Sequence, residues 1–463
     1  MSTPNNPTPH AHKTLIKSGT IVASGVLSSR VLGFFRDVVL AHFLGTGLVA
    51  EAFLVAQRIP NLFRDLVGEG AANAAIVPVL SEYAQKKSKQ EWQELINVVM
   101  AWGIIILGVI TIIGMIAAPW VVRLIAPGFT DDALKLQLTI DLTRLMFPYL
   151  ILIALTAFQV GILYSLNSFV APAFGPCLLN IAMILSVWVA SLFSWELAYT
   201  LSVGVLVGGV WQFWAQWLAL KRRGVHWRLP FLGDKPLRLN HQGARQIGRL
   251  LIPRLWGSAV YQMNIFADTI CASLSGIVGG GGVAAIYYAA RIIQLPLGVF
   301  GYALSSVSLP ALSKIAAQGD MNHFKETLIF SLRNLMLVLI PCAVILAVFS
   351  HLIIQLVFER GQFDSQSTAI TSQVLFYSAL GLPFFGASRI LVMAFYALQD
   401  TKVPVRIATI CLIINVALNL TLMFPMKIGG IALASTIASV VNCWLLWRAL
   451  SQKGIELWTL KQK

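Results

Sequence analysis

The chain has 463 residues, of which 57% are hydrophobic and only 11% are charged, and its mean hydropathy is +0.77. These values exclude a soluble domain of this length and indicate a polytopic membrane protein. Lys and Arg outnumber Asp and Glu by 34 to 19, so the positions of the basic residues have to explain the surplus.

Apolar stretches long enough to cross a bilayer recur throughout the chain. A helical span needs about 20 mostly apolar residues, and we predict twelve such spans. Their continuous apolar character, without alternation, favours helices over a β-barrel. The predicted spans are 17–43, 50–82, 95–121, 137–164, 170–194, 198–219, 246–274, 284–313, 327–356, 369–398, 404–424 and 430–450.

The two ends of the chain are polar. Residues 1–16 form a Pro-rich tail, and the apolar stretch after it continues without a small-residue cleavage site, which argues against a signal peptide. Most basic residues lie in the tails, including 451–463, and in the even-numbered loops. The positive-inside rule therefore predicts that both termini are cytoplasmic. The basic surplus reflects topology and anionic lipid headgroups, not nucleic acid.

The chain contains an internal repeat. Arg58 and Arg291, each in a similar sequence, are 233 residues apart, and the PVLS sequence at 78–81 matches the PALS sequence at 310–313 with an offset of 232. The repeat predicts two pseudo-symmetric lobes of six helices around a central cavity. Parallel repeats of this kind are typical of transporters that alternate access to a midplane site.

The predicted domains follow from this repeat. An N-lobe at 17–220 and a C-lobe at 246–450 are joined by a basic cytoplasmic linker at 221–245. Both lobes enter the membrane in the same sense because each contains an even number of spans.

The basic residues at span depth are all arginine. A charge at that depth costs from about 3 to more than 10 kcal/mol, so it usually faces a wet cavity. The planar guanidinium suits phosphate or carboxylate, which predicts an anionic substrate. Snorkelling or structural pairing is the alternative, especially for Arg144, Arg254, Arg333 and Arg389. The other five are Arg30, Arg36, Arg58, Arg64 and Arg291.

The second span also contains helix-breaking residues. Pro60, Gly68 and Gly70 are positions where a helix can bend and expose backbone polar groups to a cavity. Loose packing is the alternative explanation.

Several of these segments resemble a known family. SRVLGFFRD, RIPNLFRDLVGEGAANAAIVPVLSEY, TRLMFPYL and YYAARIIQLPLGVFGYAL are similar to sequences of the bacterial lipid II flippases, the MurJ/MviN family of the multidrug/oligosaccharidyl-lipid/polysaccharide exporter superfamily. The resemblance implies that the protein moves lipid II, an undecaprenyl-diphosphate-linked peptidoglycan precursor, from the inner to the outer leaflet of the bacterial cytoplasmic membrane. It implies a transporter and not an enzyme. The substrate-site residues that the resemblance implies are Ser29, Arg30, Arg36, Asp37, Arg64, Glu69 and Arg291. Glu51, in the turn between the first two of these motifs, and Arg58 are also predicted to belong to the site.

The chain departs from the family pattern in two respects. Gln294 and Ala290 stand where relatives can have acids near Arg291, which weakens a mechanism that needs a carboxylate there. Many members also carry two further C-terminal helices, whereas twelve spans are predicted in this sequence.

A separate polar set predicts a cation site. Asp268, Asn415, Asn419 and Ser435 offer one carboxylate with amide and hydroxyl oxygens, which suits Na⁺, and family relatives use comparable positions. Interhelical hydrogen bonding is the alternative. Coupling to Na⁺ or to the membrane potential is expected, with no other cofactor. The five cysteines and seven histidines show no metal-ligand spacing.

Other functions remain open at this stage. A drug or cation antiporter of the same superfamily would have an acid-rich pocket, and a flippase for another polyprenyl-diphosphate-linked glycan would share the arginines. A membrane enzyme would need a metal-binding acidic motif, for which Asp131 and Asp132 are the only adjacent pair. A cell-wall scaffold would not need arginines in the membrane. The expected partners are lipid II, membrane lipids and cell-wall synthesis proteins.

Overall fold

The computed structural model describes the backbone of residues 9–68, 71–225 and 241–455, and their side chains apart from 9–18, 63–74, 252–261, 302–303 and 306. Every regular element in these ranges is helical, which confirms the all-α fold class. Nine of the described helical segments are long and apolar enough to cross a membrane. The count of twelve spans stays a prediction.

The helices follow the predicted spans in order. In the first half they are α1 (Pro9–Leu44), α2 (Leu48–Gly68), α3 (Ala71–Lys86), α4 (Lys89–Ile125), α5 (Ala133–Met146), α6 (Tyr149–Ser165), α7 (Val170–Phe193) and α8 (Leu197–Arg222). In the second half they are α9 (Gln242–Ser273), α10 (Ser275–Val278), α11 (Gly282–Pro296), α12 (Tyr302–Gln318), α13 (Met321–Val348), α14 (Ser350–Phe358), α15 (Ser365–Ala397), α16 (Lys402–Met426) and α17 (Ile428–Gln452).

The second and eighth predicted spans are each built from two helices. The second consists of α2 and α3, with α2 ending at Gly68, whereas Pro60 lies inside α2 and does not end it. Gly70 lies outside the described residues. In the eighth span, one π-helical stretch, Leu297–Gly301, follows α11 and precedes α12. π-Helical turns inside helices often mark functional positions.

Helix caps repeat along the chain at the offset of the sequence motifs. Ser88 and Asp320, 232 residues apart, each accept a backbone N–H three residues further on, at the starts of α4 and α13. Asp132 and Asp364, also 232 apart, cap α5 and α15 in the same way. The N–H of Ser367 lowers the pKa of the Asp364 carboxyl. The repeat therefore includes the signals that begin helices.

The described chain forms two compact units. Unit 1 comprises Met1–Leu40, Val55–Val122 and Gln137–Ser258, and unit 2 comprises Ala41–Leu54, Arg123–Leu136 and Ala259–Lys463. The predicted lobe boundaries at 220 and 246 stay a prediction.

Each unit has its own buried core. In unit 1, Leu80, Trp92, Leu220 and Ile247 belong to one cluster that joins the ends of α3 and α8 to the starts of α4 and α9. In unit 2, α15 packs against α11, α13 and α17. Burial of these apolar side chains fixes the helices that carry the buried polar clusters.

Candidate functional site

A buried polar cluster in unit 1 forms around Arg36 on α1. Arg36 is 9% exposed and Asp37 is 1% exposed. The guanidinium donates from Nε and Nη2 to Asp37 Oδ1, over 3.0 and 2.6 Å. Its Nη1 donates to Oδ1 of Asn180, on α7, over 3.0 Å. The carboxylate and the amide together make the buried charge tolerable, because an unpaired charge at this depth would be very costly.

Asn180 connects two positions on α1. Its Oδ1 accepts from Arg36, and its Nδ2 donates to the carbonyl oxygen of Ser29 over 3.1 Å. Ser29 and Arg36 are seven residues apart and therefore lie on the same face of the helix. The structure thus brings together three predicted site residues, Ser29, Arg36 and Asp37, and the Asn180 amide fixes the direction of the guanidinium.

The remaining predicted site residues of unit 1 lie on α1 and α2 or outside the described residues. Arg30 is exposed and Arg58 is half-buried. Arg64 belongs to α2, but its side chain is outside the described residues, and Glu69 is outside them altogether. The roles predicted for Arg64 and Glu69 stay predictions.

Arg291 lies on α11 in unit 2 and is half-buried. Its guanidinium carbon lies 4.4 Å from the centre of the Tyr287 ring, a cation–π geometry. Its Nη1 donates to Oε1 of Gln294 over 3.3 Å. An aromatic ring and a neutral amide orient the guanidinium without neutralising its charge, so these two contacts leave it suited to an anion.

Glu51 at the start of α2 forms a buried ion pair in unit 2. Glu51 is 2% exposed, and its Oε2 pairs with Nζ of Lys135, which is 7% exposed. Its Oε1 accepts the N–H of Val283, in the first turn of α11, over 2.9 Å. Lys135 Nζ also lies 3.9 Å from the centre of the Phe129 ring. Glu51 therefore connects α2, α5 and α11.

The second polar set lies in unit 2 on α9, α16 and α17. Asp268 Oδ1 accepts from Asn419 Nδ2 over 2.8 Å, and its Oδ2 accepts from Ser435 Oγ over 2.9 Å. Asn415 donates from Nδ2 to Ser435 Oγ over 3.0 Å and accepts from Asn419 over 2.9 Å. All four predicted residues therefore belong to one hydrogen-bond network. Asn419 Oδ1 is buried and has no hydrogen-bond partner among the described residues.

Sequence reasoning missed Asn180 and Lys135. Asn180 is a single amide in an apolar span, and its one available signal was that a polar residue at span depth needs a partner. Lys135 was one of the few basic residues in an odd-numbered loop, where the positive-inside rule does not favour it. That exception was the signal that Lys135 pairs with an acid.

The fold is shared by membrane transporters. The chain matches a multidrug resistance MATE family transporter of the MOP superfamily in an inward-facing conformation, with a TM-score of 0.73, 12% identity and coverage of 93% of this chain and 96% of that chain. At this identity the match shows the fold alone. The helical fold and the charged clusters within it define the class as a polytopic membrane protein with a transporter fold.

Sequence comparison identifies the family. The family model "Lipid II flippase MurJ" matches residues 40–461. A probable lipid II flippase MurJ of Rhizobium tropici is 37% identical over 456 residues, covering 96% of this chain and 82% of that protein. The Haemophilus influenzae protein of the same description is 35% identical, with coverages of 93% and 85%. A solved lipid II flippase MurJ in an inward closed conformation matches with a TM-score of 0.80, 26% identity and coverages of 95% and 90%. The chain belongs to the lipid II flippase MurJ family.

Proposed function

We propose that this chain flips lipid II from the inner to the outer leaflet of the bacterial cytoplasmic membrane. The observation that carries the proposal is the match to the lipid II flippase model over residues 40–461. The arginines at span depth support it, because a diphosphate needs cationic partners that remain charged. The family match favours this function over a drug or cation antiporter, and a transporter has no need of a catalytic centre.

The arginines divide between contact and positioning. Arg30 is exposed and Arg291 is half-buried, so both are proposed to contact the diphosphate directly. Arg36 is buried and held by Asp37 and Asn180. It is therefore proposed to fix the orientation of α1 and to contribute positive electrostatic potential near the substrate, without contacting the diphosphate. Arg64 remains a predicted contact.

The second polar set is proposed to hold Na⁺. Asn419 Oδ1 is buried without a partner among the described residues, and a carboxylate, two amides and a hydroxyl are oxygen donors of the kind that hard cations prefer. A bound cation supplies a positive charge that compensates Asp268. Asp268, Asn415, Asn419 and Ser435 would hold it, and the amide of Asn419 would turn to present its oxygen.

The membrane potential is the second proposed driving force. Moving one negative charge outward gains about 2.3 kcal/mol per 100 mV of inside-negative potential. The orientation proposed here places both termini in the cytoplasm, because the loops carrying most basic residues then face inward. Binding of cell-wall synthesis proteins stays a prediction.

The test is replacement of the flippase in a bacterium depleted of its own. The chain should restore growth and the appearance of lipid II at the outer surface. Arg30→Ala and Arg291→Ala should each abolish both at unchanged membrane abundance. Arg333→Ala is the matched control, since Arg333 is an exposed arginine on a predicted span, and it should behave as the parent. Normal lipid II export by both the Arg30→Ala and the Arg291→Ala variant would overturn the proposed contacts.

The cation site has its own test. Purified protein should gain thermal stability in Na⁺ relative to K⁺, because a ligand that binds only the folded state stabilises it. Asp268→Asn should remove this difference. An equal response of parent and variant would exclude Na⁺ binding at Asp268 and would leave lipid II flipping itself untouched.

A further inference from the structure

One end of unit 1 carries a dense set of exposed basic side chains. They lie at the end of α3 and start of α4, at the end of α8, and at the start of α9. We call this set the basic end surface. Its members are Lys86, Lys87, Lys89, Lys221, Arg222, Arg223, Arg245 and Arg249.

The helix ends beneath this surface are fixed to one another. Leu80, Trp92, Val225 and Ile247 are buried in a single apolar cluster that draws on all four helix ends or the residues just beyond them. Trp92 Nε1 also donates to the carbonyl oxygen of Leu80 over 3.2 Å. The basic side chains therefore project from a packed platform of helix ends.

Few acids balance these charges. Among the described residues of these helix ends, Glu82, Glu91 and Glu94 are the acids, so the eight basic residues leave a surplus of five. Glu82 is engaged by Lys86 over 3.0 Å. Glu91 accepts the backbone N–H of Ser88 over 3.1 Å, as part of a capping box at the start of α4.

The internal repeat indicates that the charge of this surface is not a general consequence of membrane topology. With the offset of 232 shown by the caps of α4 and α13, Lys86, Lys87 and Lys89 correspond to Gln318, Gly319 and Met321. The second half thus has uncharged residues at these three positions of the same helix ends.

The end of α8 shows the same asymmetry. Gly224 and Gly454 both have positive φ, and each is followed by a buried residue, so here the structural offset is 230. Lys221 and Arg222 then correspond to Ser451 and Gln452. Arg223 corresponds to Lys453, which pairs with Asp400 over 2.7 Å. Five of these six basic residues have uncharged equivalents, and the sixth equivalent is neutralised.

We propose that the basic end surface is a docking surface for the headgroups of anionic phospholipids in the inner leaflet. The surface is exposed and multiply charged, and each Lys or Arg near an anionic membrane surface contributes about fivefold to attraction. Trp214 and Trp217 lie beside it on α8, with Lys221 Nζ 5.4 Å from the Trp217 ring centre. Trp is enriched at membrane interfaces. The inference rests on the proposed orientation, and not on lipid II transport.

The test is lipid titration of the purified full chain in a neutral detergent. Native mass spectrometry would count bound short-chain phosphatidylglycerol and, separately, phosphatidylcholine. The triple variant Lys89→Gln, Arg222→Gln, Arg223→Gln should bind phosphatidylglycerol at least about tenfold more weakly, with unchanged phosphatidylcholine binding. Parent binding should weaken when the ionic strength rises from about 0.05 to about 0.5 M.

The matched control neutralises three exposed basic residues of unit 2, as Lys314→Gln, Lys402→Gln, Arg406→Gln. It should keep the phosphatidylglycerol affinity of the parent. Equal loss in both triple variants, or no loss in the first, would overturn the proposal. Equal binding of inorganic diphosphate and phosphatidylglycerol would also overturn it, because the surface would then select anions and not lipids. Thermal unfolding in detergent checks that each variant remains folded.

Discussion

Removing either partner of the buried ion pair of Glu51 and Lys135 should destabilise unit 2 by a large and measurable amount. Both residues are more than nine-tenths buried, and Glu51 additionally accepts the N–H of Val283. Glu51→Gln keeps the shape and an oxygen for that N–H, but it removes the charge opposite Lys135. Removing one partner of a buried pair costs about 3–5 kcal/mol, because the other charge is left uncompensated.

The opposite substitution should be similarly costly. Lys135→Met retains an apolar side chain over the Phe129 ring. It removes the ammonium group, so among the described residues the N–H of Val283 is the donor that the Glu51 carboxylate keeps. The double variant, Glu51→Gln with Lys135→Met, contains no buried charge and should recover most of the loss. Replacing a whole buried pair by uncharged groups is often close to neutral. A coupling energy of at least about 5 kcal/mol is therefore expected, because the two single losses together exceed the loss in the double variant by that amount.

The assay is denaturant unfolding of purified protein in detergent micelles, analysed as a double-mutant cycle. Single variants that each cost less than about 1 kcal/mol would match an exposed ion pair and would refute the buried pair. Additive single effects would show that Glu51 and Lys135 do not interact. Glu82→Gln serves as the control, because Glu82 belongs to the exposed pair with Lys86 and its loss should be nearly silent.

Three further predictions follow from single contacts. Asn180→Ala should destabilise the protein by about 1–3 kcal/mol, because it removes a buried hydrogen bond to a charged group. The same variant should slow lipid II export, and Arg36→Lys should only partly preserve export. Gly128→Ala should destabilise the protein by at least about 2 kcal/mol through overpacking, because a Cβ there would lie 2.1 Å from a carbonyl oxygen. Gly276 has open space around it, so Gly276→Ala should be tolerated. Thermal unfolding measures both variants. The backbone N–H of Ser367 lowers the pKa of the Asp364 carboxyl below its ordinary value of 3.8. The ionised carboxylate therefore stabilises the folded state fully above pH 3.8, and this contribution is lost as the pH falls through the lowered pKa. Asp364→Asn should therefore approach the parent's unfolding temperature at strongly acidic pH and lie below it at neutral pH.

The sequence predicted those features that depend on local chemistry. The repeat offset, read from short motifs, recurs in the caps of α4 and α13 because capping needs a particular side chain at a fixed distance from the helix start. The second polar set was predicted as a group, and the structure brings Asp268, Asn415, Asn419 and Ser435 into contact.

Features that depend on distant partners were not predictable in the same way. Glu51 in an apolar helix suggested a substrate contact, yet its partner Lys135 is 84 residues away and follows a separate span. Helix geometry placed Arg30 on the face of Asp37, yet Arg36 is the residue that pairs with Asp37, and its second partner Asn180 lies 144 residues further on. No periodicity within one span shows which face of it meets a given neighbour, so packing between helices decided both cases.

The repeat also explains why one fold would carry two kinds of charged centre. Phe35-Arg36-Asp37 on α1 aligns with Phe266-Ala267-Asp268 on α9 at an offset of 231. Each half therefore has a carboxylate at the same position of the repeat. In the first half the Asn180 amide bonds Arg36, the partner of Asp37, and in the second half the Asn419 amide bonds Asp268 directly. In the first half Arg36 lies beside the carboxylate and pairs with it. In the second half the equivalent residue is Ala267.

This single difference changes the electrostatics of the two centres. The first centre contains its own cation, so its carboxylate serves to hold Arg36, and further arginines on α1 and α2 make the surroundings suitable for an anion. In the second centre, the adjacent sequence position supplies no cation, and Asp268 accepts hydrogen bonds from the Asn419 amide nitrogen and the Ser435 hydroxyl. A small cation would satisfy that centre in the way Arg36 satisfies the first. Loss or gain of one arginine in the repeat would thus be enough to distinguish the proposed anion site from the proposed cation site. Ala267→Arg should, on this argument, abolish the difference between Na⁺ and K⁺ in thermal stability while leaving the Arg36 cluster unchanged.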